Sequence, residues 1–152
     1  MDHGADINQP EVIFNLCRQG KDTLVQWFVD HGVNIHVVNN NEETVLFNAC
    51  WSGNENLVIY LIDRGLDIHK VNRDGETVLF YACSSGNNKL VKYLVEKKSV
   101  DINKVNKMDK IALYYAYRSG NKNMVNYLID HGAVNKKKKN KTSQTPLSLL
   151  IK

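Results

Sequence analysis

Four stretches of the chain carry apolar residues at i, i+1, i+4 and i+5: Leu24, Val25, Phe28 and Val29; Leu57, Val58, Leu61 and Ile62; Leu90, Val91, Leu94 and Val95; Met124, Val125, Leu128 and Ile129. That spacing puts one apolar stripe on a helix of about ten residues, a length that is marginal alone in water. A second apolar segment precedes each stripe across Gly20, Gly53, Gly86 or Gly120, and Gly32, Gly65, Ser99 or Gly132 follows it. A left-handed glycine ends one helix and lets the next fold back. The pattern predicts pairs of short antiparallel helices. No pair can bury its own apolar face, so stability must come from stacking against neighbours.

The pairs align at a nearly fixed period. Shifting Asn72–Asp101 back by 33 residues lays Thr77 on Thr44, Leu79 on Leu46, Ala82 on Ala49, Gly86 on Gly53 and Leu94 on Leu61. Shifting it forward by 34 lays the same positions on Ile111, Leu113, Ala116, Gly120 and Leu128. Thr44-Val45-Leu46-Phe47-Asn48-Ala49 and Thr77-Val78-Leu79-Phe80-Tyr81-Ala82 resemble the T-P-L-H-x-A signature of ankyrin repeats. His31-Gly32-Val33-Asn34-Ile35 and Arg64-Gly65-Leu66-Asp67-Ile68 resemble the G-A-D-V of the same family. Only Thr145-Pro146-Leu147 keeps the proline, and Phe14, Phe47, Phe80 and Tyr114 stand where the family usually has histidine, so packing must replace those hydrogen bonds. The resemblance implies an all-α ankyrin-repeat solenoid, with stacked helix-turn-helix units joined by β-turn or hairpin fingers.

About four to five repeats are expected, with incomplete units at both ends. The divisions fall at 1–38 (a partial unit and repeat one), 39–71, 72–105, 106–139 and 140–152 (a partial last unit). The chain opens and stops inside a repeat, which suits a piece of a longer array or degenerate caps. Repeat four deviates: one residue is added before Asp101, Ser99 replaces a glycine, and Ile111-Ala112 replaces the Thr-Val start. A local kink is expected there.

Composition narrows the class. With 43% hydrophobic and 24% charged residues the chain is globular rather than disordered, and no apolar run approaches the ~20 residues of a membrane span. With no signal-peptide pattern either, an intracellular, cytoplasmic location is expected, the nucleus being open. Charge is uneven: residues 1–76 hold 12 acidic and 5 basic side chains, a net of −7, and residues 77–152 hold 4 acidic and 15 basic, a net of +11.

Several features invite a chemical reading and are met by a plainer one. Cys17, Cys50 and Cys83 repeat in register. Neighbouring repeats lie roughly 10 Å apart while a disulfide needs Cα atoms within ~7 Å, so these are small core residues and no metal is assigned. Trp27, Tyr60, Tyr93 and Tyr127 form a second register ladder, read as packing between outer helices rather than a base-stacking platform. His3, His31 and His131 precede a glycine, where a partly cationic side chain suits a helix C-terminus. Lys136–Lys141 reads as a solvated finger, with nuclear targeting or a contact to nucleic acid or another anionic surface as the alternative. Glu42 and Glu43 sit in a turn with no partner that the repeat geometry would bring to them. No Gly-rich phosphate loop, H-E-x-x-H, C-x-x-C or G-x-S-x-G motif occurs, so neither an enzyme nor a cofactor is expected.

Ankyrin arrays generally hold partners in a concave groove between finger tips and inner helices, and the resemblance carries those positions over one by one. They fall on Arg18 and Gln19 in repeat one; Asn40, Asn41, Glu43, Trp51 and Ser52 in repeat two; and Arg73, Asp74, Glu76, Ser84 and Ser85 in repeat three. Repeat four contributes Lys107, Met108, Lys110, Arg118 and Ser119, the last unit Lys141, Thr142 and Gln144, and Tyr81 and Tyr115 lie one helical turn before the groove edge. Core positions repeat their chemistry from unit to unit, whereas Trp51, Ser84 and Arg118 occupy equivalent places and differ, as a recognition surface requires. Trp51 is the leading anchor, packing on the next repeat being the alternative. The implied function is non-enzymatic binding of another protein by a monomer. The alternatives are the lysine finger and a structural spacer in a longer array.

Overall fold

The computed structural model describes residues 9–134, in which eight α-helices stack as four antiparallel pairs. The inner helices are α1 (Pro10–Arg18), α3 (Val45–Ser52), α5 (Val78–Ser85) and α7 (Ala112–Arg118); the outer ones are α2 (Asp22–Asp30), α4 (Glu55–Asp63), α6 (Asn88–Lys92) and α8 (Lys122–Asp130). Inner helices pack side by side in chain order, and each outer helix packs on its own inner helix. A single core runs the length of the stack, with Leu46, Phe47, Leu57, Leu61, Leu79, Phe80, Leu90, Leu94, Leu113, Met124 and Leu128 buried. No helix among the described residues is long and apolar enough to cross a membrane. Met1–Asn8, the Lys136–Lys141 run, Lys141, Thr142 and Gln144, and the unit at 140–152 lie outside the described residues.

Local chemistry fixes each turn. Thr44 and Thr77 cap α3 and α5 by accepting from the Leu46 and Leu79 amides, each at 3.3 Å. Ile111 has no such side chain, and α7 begins uncapped. Gly53 ends α3 at φ 76°, a left-handed value that a Cβ would strain. Asn54, Asn87 and Asn121 then cap the outer helices through their side-chain oxygens.

The same asparagines join adjacent repeats. Their amide groups donate to the carbonyls of Gly20 (2.8 Å), Gly53 (2.6 Å) and Gly86 (2.9 Å), each in the preceding unit. On the opposite edge Arg73 N–H donates to Asn41 O and Lys107 N–H to Asp74 O, both at 2.9 Å, so successive fingers are tied by their backbones. The fingers among the described residues are tight turns rather than strands.

The deviation in repeat four is absorbed one helix earlier. After α6 the chain runs on as a π-helical turn, Tyr93–Lys97. In three other units the closing amide bonds back five residues, as in Val33 to Phe28, Leu66 to Leu61 and Ala133 to Leu128; here Val100 reaches back six, to Leu94. The added residue is taken up as a wider helical turn. Ser99 holds the glycine's place at φ 56°.

Candidate functional site

The base of each finger is organised by one asparagine. Asn39 Oδ1 accepts from the Asn41 and Glu43 amides at 2.9 Å each, and Asn106 Oδ1 from those of Met108 and Lys110 at 2.9 Å each. Asn72 Oδ1 accepts from Asp74 at 3.0 Å and Glu76 at 2.9 Å. This leaves the asparagine amide groups to reach the glutamate of the finger before. Asn72 Nδ2 donates to Glu43 Oε2 at 3.2 Å, and Asn106 Nδ2 to Glu76 Oε2 at 3.1 Å. Tyrosines complete the link: Tyr81 donates to Glu43 Oε2 in a short bond, and Tyr115 donates to Glu76 Oε2 at 3.2 Å.

Two expectations about Glu43 are therefore corrected. It has partners in its own and the next repeat, and at 7% exposure it belongs to the frame rather than to a partner-facing surface. Burial opposes its ionisation, but hydrogen bonds from Tyr81, Asn39, Asn41 and Asn72 outweigh it and hold the carboxyl below its ordinary value of 4.5. Burial first, and then the bond to Glu43, push the Tyr81 hydroxyl up, so it stays protonated and donating. Glu42 also has a partner, Arg73 at 3.6 Å, though both ends of that pair are exposed.

The other carried-over positions divide by accessibility. Arg18, Gln19, Asn40, Trp51, Arg73, Asp74, Ser84, Lys107, Met108, Arg118 and Ser119 are exposed, Trp51 at 53%. Asn41, Ser52, Glu76, Tyr81, Ser85, Lys110 and Tyr115 are half-buried. Ser52 and Ser85 donate to the Ala49 and Ala82 carbonyls at 2.6 Å and accept from the Asn54 and Asn87 amides, so they also lock the inter-helix turn.

On the concave floor the structure brings part of this set together. A cleft of ≈ 220 Å³ is lined by Trp51, Glu76, Phe80, Tyr81, Ser84 and Tyr115. It adjoins a second, of ≈ 200 Å³, lined by Ser84, Tyr115, Arg118 and Ser119. Tyr81 and Tyr115 are set edge-on by Phe47 and Phe80, with ring centroids 5.3 and 5.5 Å apart. Arg118 donates to the Tyr114 hydroxyl at 3.3 Å, and Lys110 Nζ lies 4.6 Å from the centroid of the same ring. The Arg118 bond, with the charges of Arg118 and Lys110, holds the Tyr114 hydroxyl below its ordinary value. Arg18 and Gln19 lie at the far end of the floor, and Lys107 and Met108 on a finger tip, away from both clefts. A further cleft, of ≈ 570 Å³, is lined by Tyr117, Asn121 and Val125 of repeat four, the register positions of Cys83, Asn87 and Val91 in repeat three.

The remaining sequence features settle into structural roles. Cys17, Cys50 and Cys83 are fully buried and unbridged; burial pushes the Cys17 thiol up to about 12 and the other two higher still, so all three stay protonated at neutral pH. His31 and His131 each donate from Nδ1 to a last-turn carbonyl, Trp27 O and Tyr127 O, at 2.8 Å. The outer ladder is packed only in part: Tyr60, Tyr93 and Tyr127 are half-buried, whereas Trp27 is 49% exposed and stacks on the His31 ring at 3.8 Å. Outer helices at that end have no preceding described unit to cover them.

Paired helices stacked on one continuous core, with turn-like fingers along one edge, define a helical repeat solenoid. Residues 13–62 match the profile described as ankyrin repeats (many copies), and residues 65–140 the profile described as ankyrin repeats (3 copies). The chain belongs to the ankyrin repeat family. Ankyrin repeats are in general protein–protein interaction modules, and neither match is to an enzyme family. A search of curated proteins returns no match to the chain.

Proposed function

We propose that the array is a non-enzymatic module, acting as a monomer inside the cell, that holds a protein partner along its concave groove. One observation carries this reading. On the inner helices the apolar register positions that repeat their identity, Leu46/Leu79/Leu113 and Ala49/Ala82/Ala116, are buried, while Trp51, Ser84 and Arg118, equivalent and different, are all exposed. Trp51 lines a cleft while staying 53% exposed, and tryptophan and arginine are the residue types that dominate binding hot spots. A preformed surface of this kind binds with little ordering cost.

The test is affinity capture from a lysate of the source cell with the intact chain and with a Trp51→Ala/Arg118→Glu variant whose helical circular dichroism is unchanged. A protein captured by the first and lost by the second supports the groove. Equal capture by both, or recovery only of nucleic acid that salt releases, would turn the assignment toward the lysine run at 136–141.

A further inference from the structure

The two adjoining clefts differ in charge, and neither charge is compensated. Glu76 Oε2 accepts from Asn106 Nδ2 and Tyr115, at 3.1 and 3.2 Å, and Oε1 accepts from Asn72 Nδ2 at 3.4 Å. Asn72 Nδ2 also bonds Glu43, whose remaining donors are Asn39, Asn41 and Tyr81. All of these donors are neutral. Neither carboxylate has a cationic partner among the described residues; Arg73 pairs with Glu42 instead. Hydrogen bonds fix the two carboxylates and satisfy their lone pairs, but the negative charge is left in a half-buried place, where its field is weakly screened. Around Glu76 stand the rings of Trp51, Tyr81 and Tyr115, whose faces attract cations. The neighbouring cleft presents Arg118 with Ser84 and Ser119. Arg118 and Lys110 flank the Tyr114 ring, and neither has a carboxylate partner among the described residues.

We propose that the groove floor is a two-part subsite for an extended protein segment: a lysine or arginine side chain enters the aromatic cleft over Glu76, and an acidic side chain about three residues away meets Arg118. The spacing follows from geometry. The clefts adjoin through Ser84 and Tyr115, and Glu76 belongs to repeat three and Arg118 to repeat four, so the two charges stand about one repeat, roughly 10 Å, apart along the stack, which is three residues of extended chain at ~3.3 Å each. The inference rests on the reading of the concave groove as a protein-binding surface and adds the chemistry and order of what it binds. Trp51 supplies the exposed wall of the cation cleft, Glu76 its charge, and Tyr115 the partition between the subsites.

A phage-displayed library of random twelve-residue peptides, panned against the intact chain, tests this. The selected sequences should share a basic residue two to four positions from an acidic one. A synthetic peptide from that set should bind about tenfold more weakly to Glu76→Gln. Replacing its basic residue by norleucine should cost about as much on the wild-type chain and little further on Glu76→Gln; the peptide-side change needs no protein variant to fold. Arg118→Glu should shift the selection away from the acidic residue. Selected peptides that depend on Trp51 but carry no basic preference would overturn the subsite and leave the groove standing. A basic residue whose loss costs the same on wild type and Glu76→Gln would likewise refute the pairing with Glu76. Peptides indifferent to both Trp51→Ala and Arg118→Glu, or no selected peptide at all, would overturn the subsite and the groove for linear segments together.

Discussion

Glu43 is the residue at which the physics of the array is most concentrated. Its carboxylate takes hydrogen bonds from Asn39, Asn41, Asn72 and Tyr81, and the last two belong to the next repeat. Glu43→Gln would set an amide N–H₂ against those donors and should destabilise the array by about 1–3 kcal/mol at neutral pH. The sign with pH follows from its lowered pKa. A depressed carboxyl contributes stability that is fully present above its ordinary value of 4.5 and is lost as pH falls through the folded value. Urea unfolding should therefore show the gap between wild type and Glu43→Gln narrowing below about pH 4.5; a gap constant from pH 7 to pH 3 would mean that the fold does not lower the Glu43 pKa. The role was legible in principle. Asn39, Asn72 and Asn106 keep register, Glu76 repeats Glu43, and Tyr115 repeats Tyr81, so the rule that constant positions form the frame assigns them inward. Family precedent for groove positions pointed the other way, and the contact itself spans 38 residues, beyond any local pattern.

At the scale of elements, the outer helices depend on asparagines that act twice. Asn87 caps α6 by accepting from the Lys89 amide at 2.9 Å and donates to Gly53 O in the preceding repeat at 2.6 Å. Asn87→Ser keeps a capping oxygen but cannot span to Gly53, and Asn87→Ala loses both functions. Thermal or urea unfolding should rank them, with losses of about 1 kcal/mol for serine and about 2 kcal/mol for alanine. Equal losses would show that the inter-repeat bond contributes nothing. The helix pairs, their order and their glycine stops follow directly from the apolar stripes and a 33-residue period. What periodicity could not show is how the extra residue before Asp101 is housed. A kink between units and a widened turn within a helix change the spacing identically, and only the six-residue reach from Val100 to Leu94 distinguishes them. The missing cap at α7 was legible, because isoleucine has no oxygen to place at Ile111.

Across the whole molecule, charge is the property that the stack converts into direction. The acidic half of the sequence becomes repeats one and two and the finger of repeat three, with Glu43 and Glu76, and the basic half becomes the helices of repeat three and repeat four with Lys107, Lys110 and Arg118. A solenoid preserves linear order in space, so among the described residues a net of −5 over 9–76 and +5 over 77–134 becomes a dipole along the stack. Such a field acts mainly on encounter rate and orientation, and salt weakens it because the Debye length is only ~10 Å at 0.1 M. Arg118 and Lys110 carry positive charge beside Tyr114, whereas Lys89 and Lys97 are exposed on the outer side of repeat three and line neither floor cleft. For a protein captured through the groove, stopped-flow association at low salt should therefore slow about tenfold on Lys110→Glu/Arg118→Glu and little on Lys89→Glu/Lys97→Glu, which makes the same change in net charge. The difference should shrink as salt is raised, while the dissociation rate reports the loss of direct contacts separately. Equal rates for the two variants at low salt would show that the partner does not read the gradient, and would leave affinity to the shape and aromatic walls of the clefts.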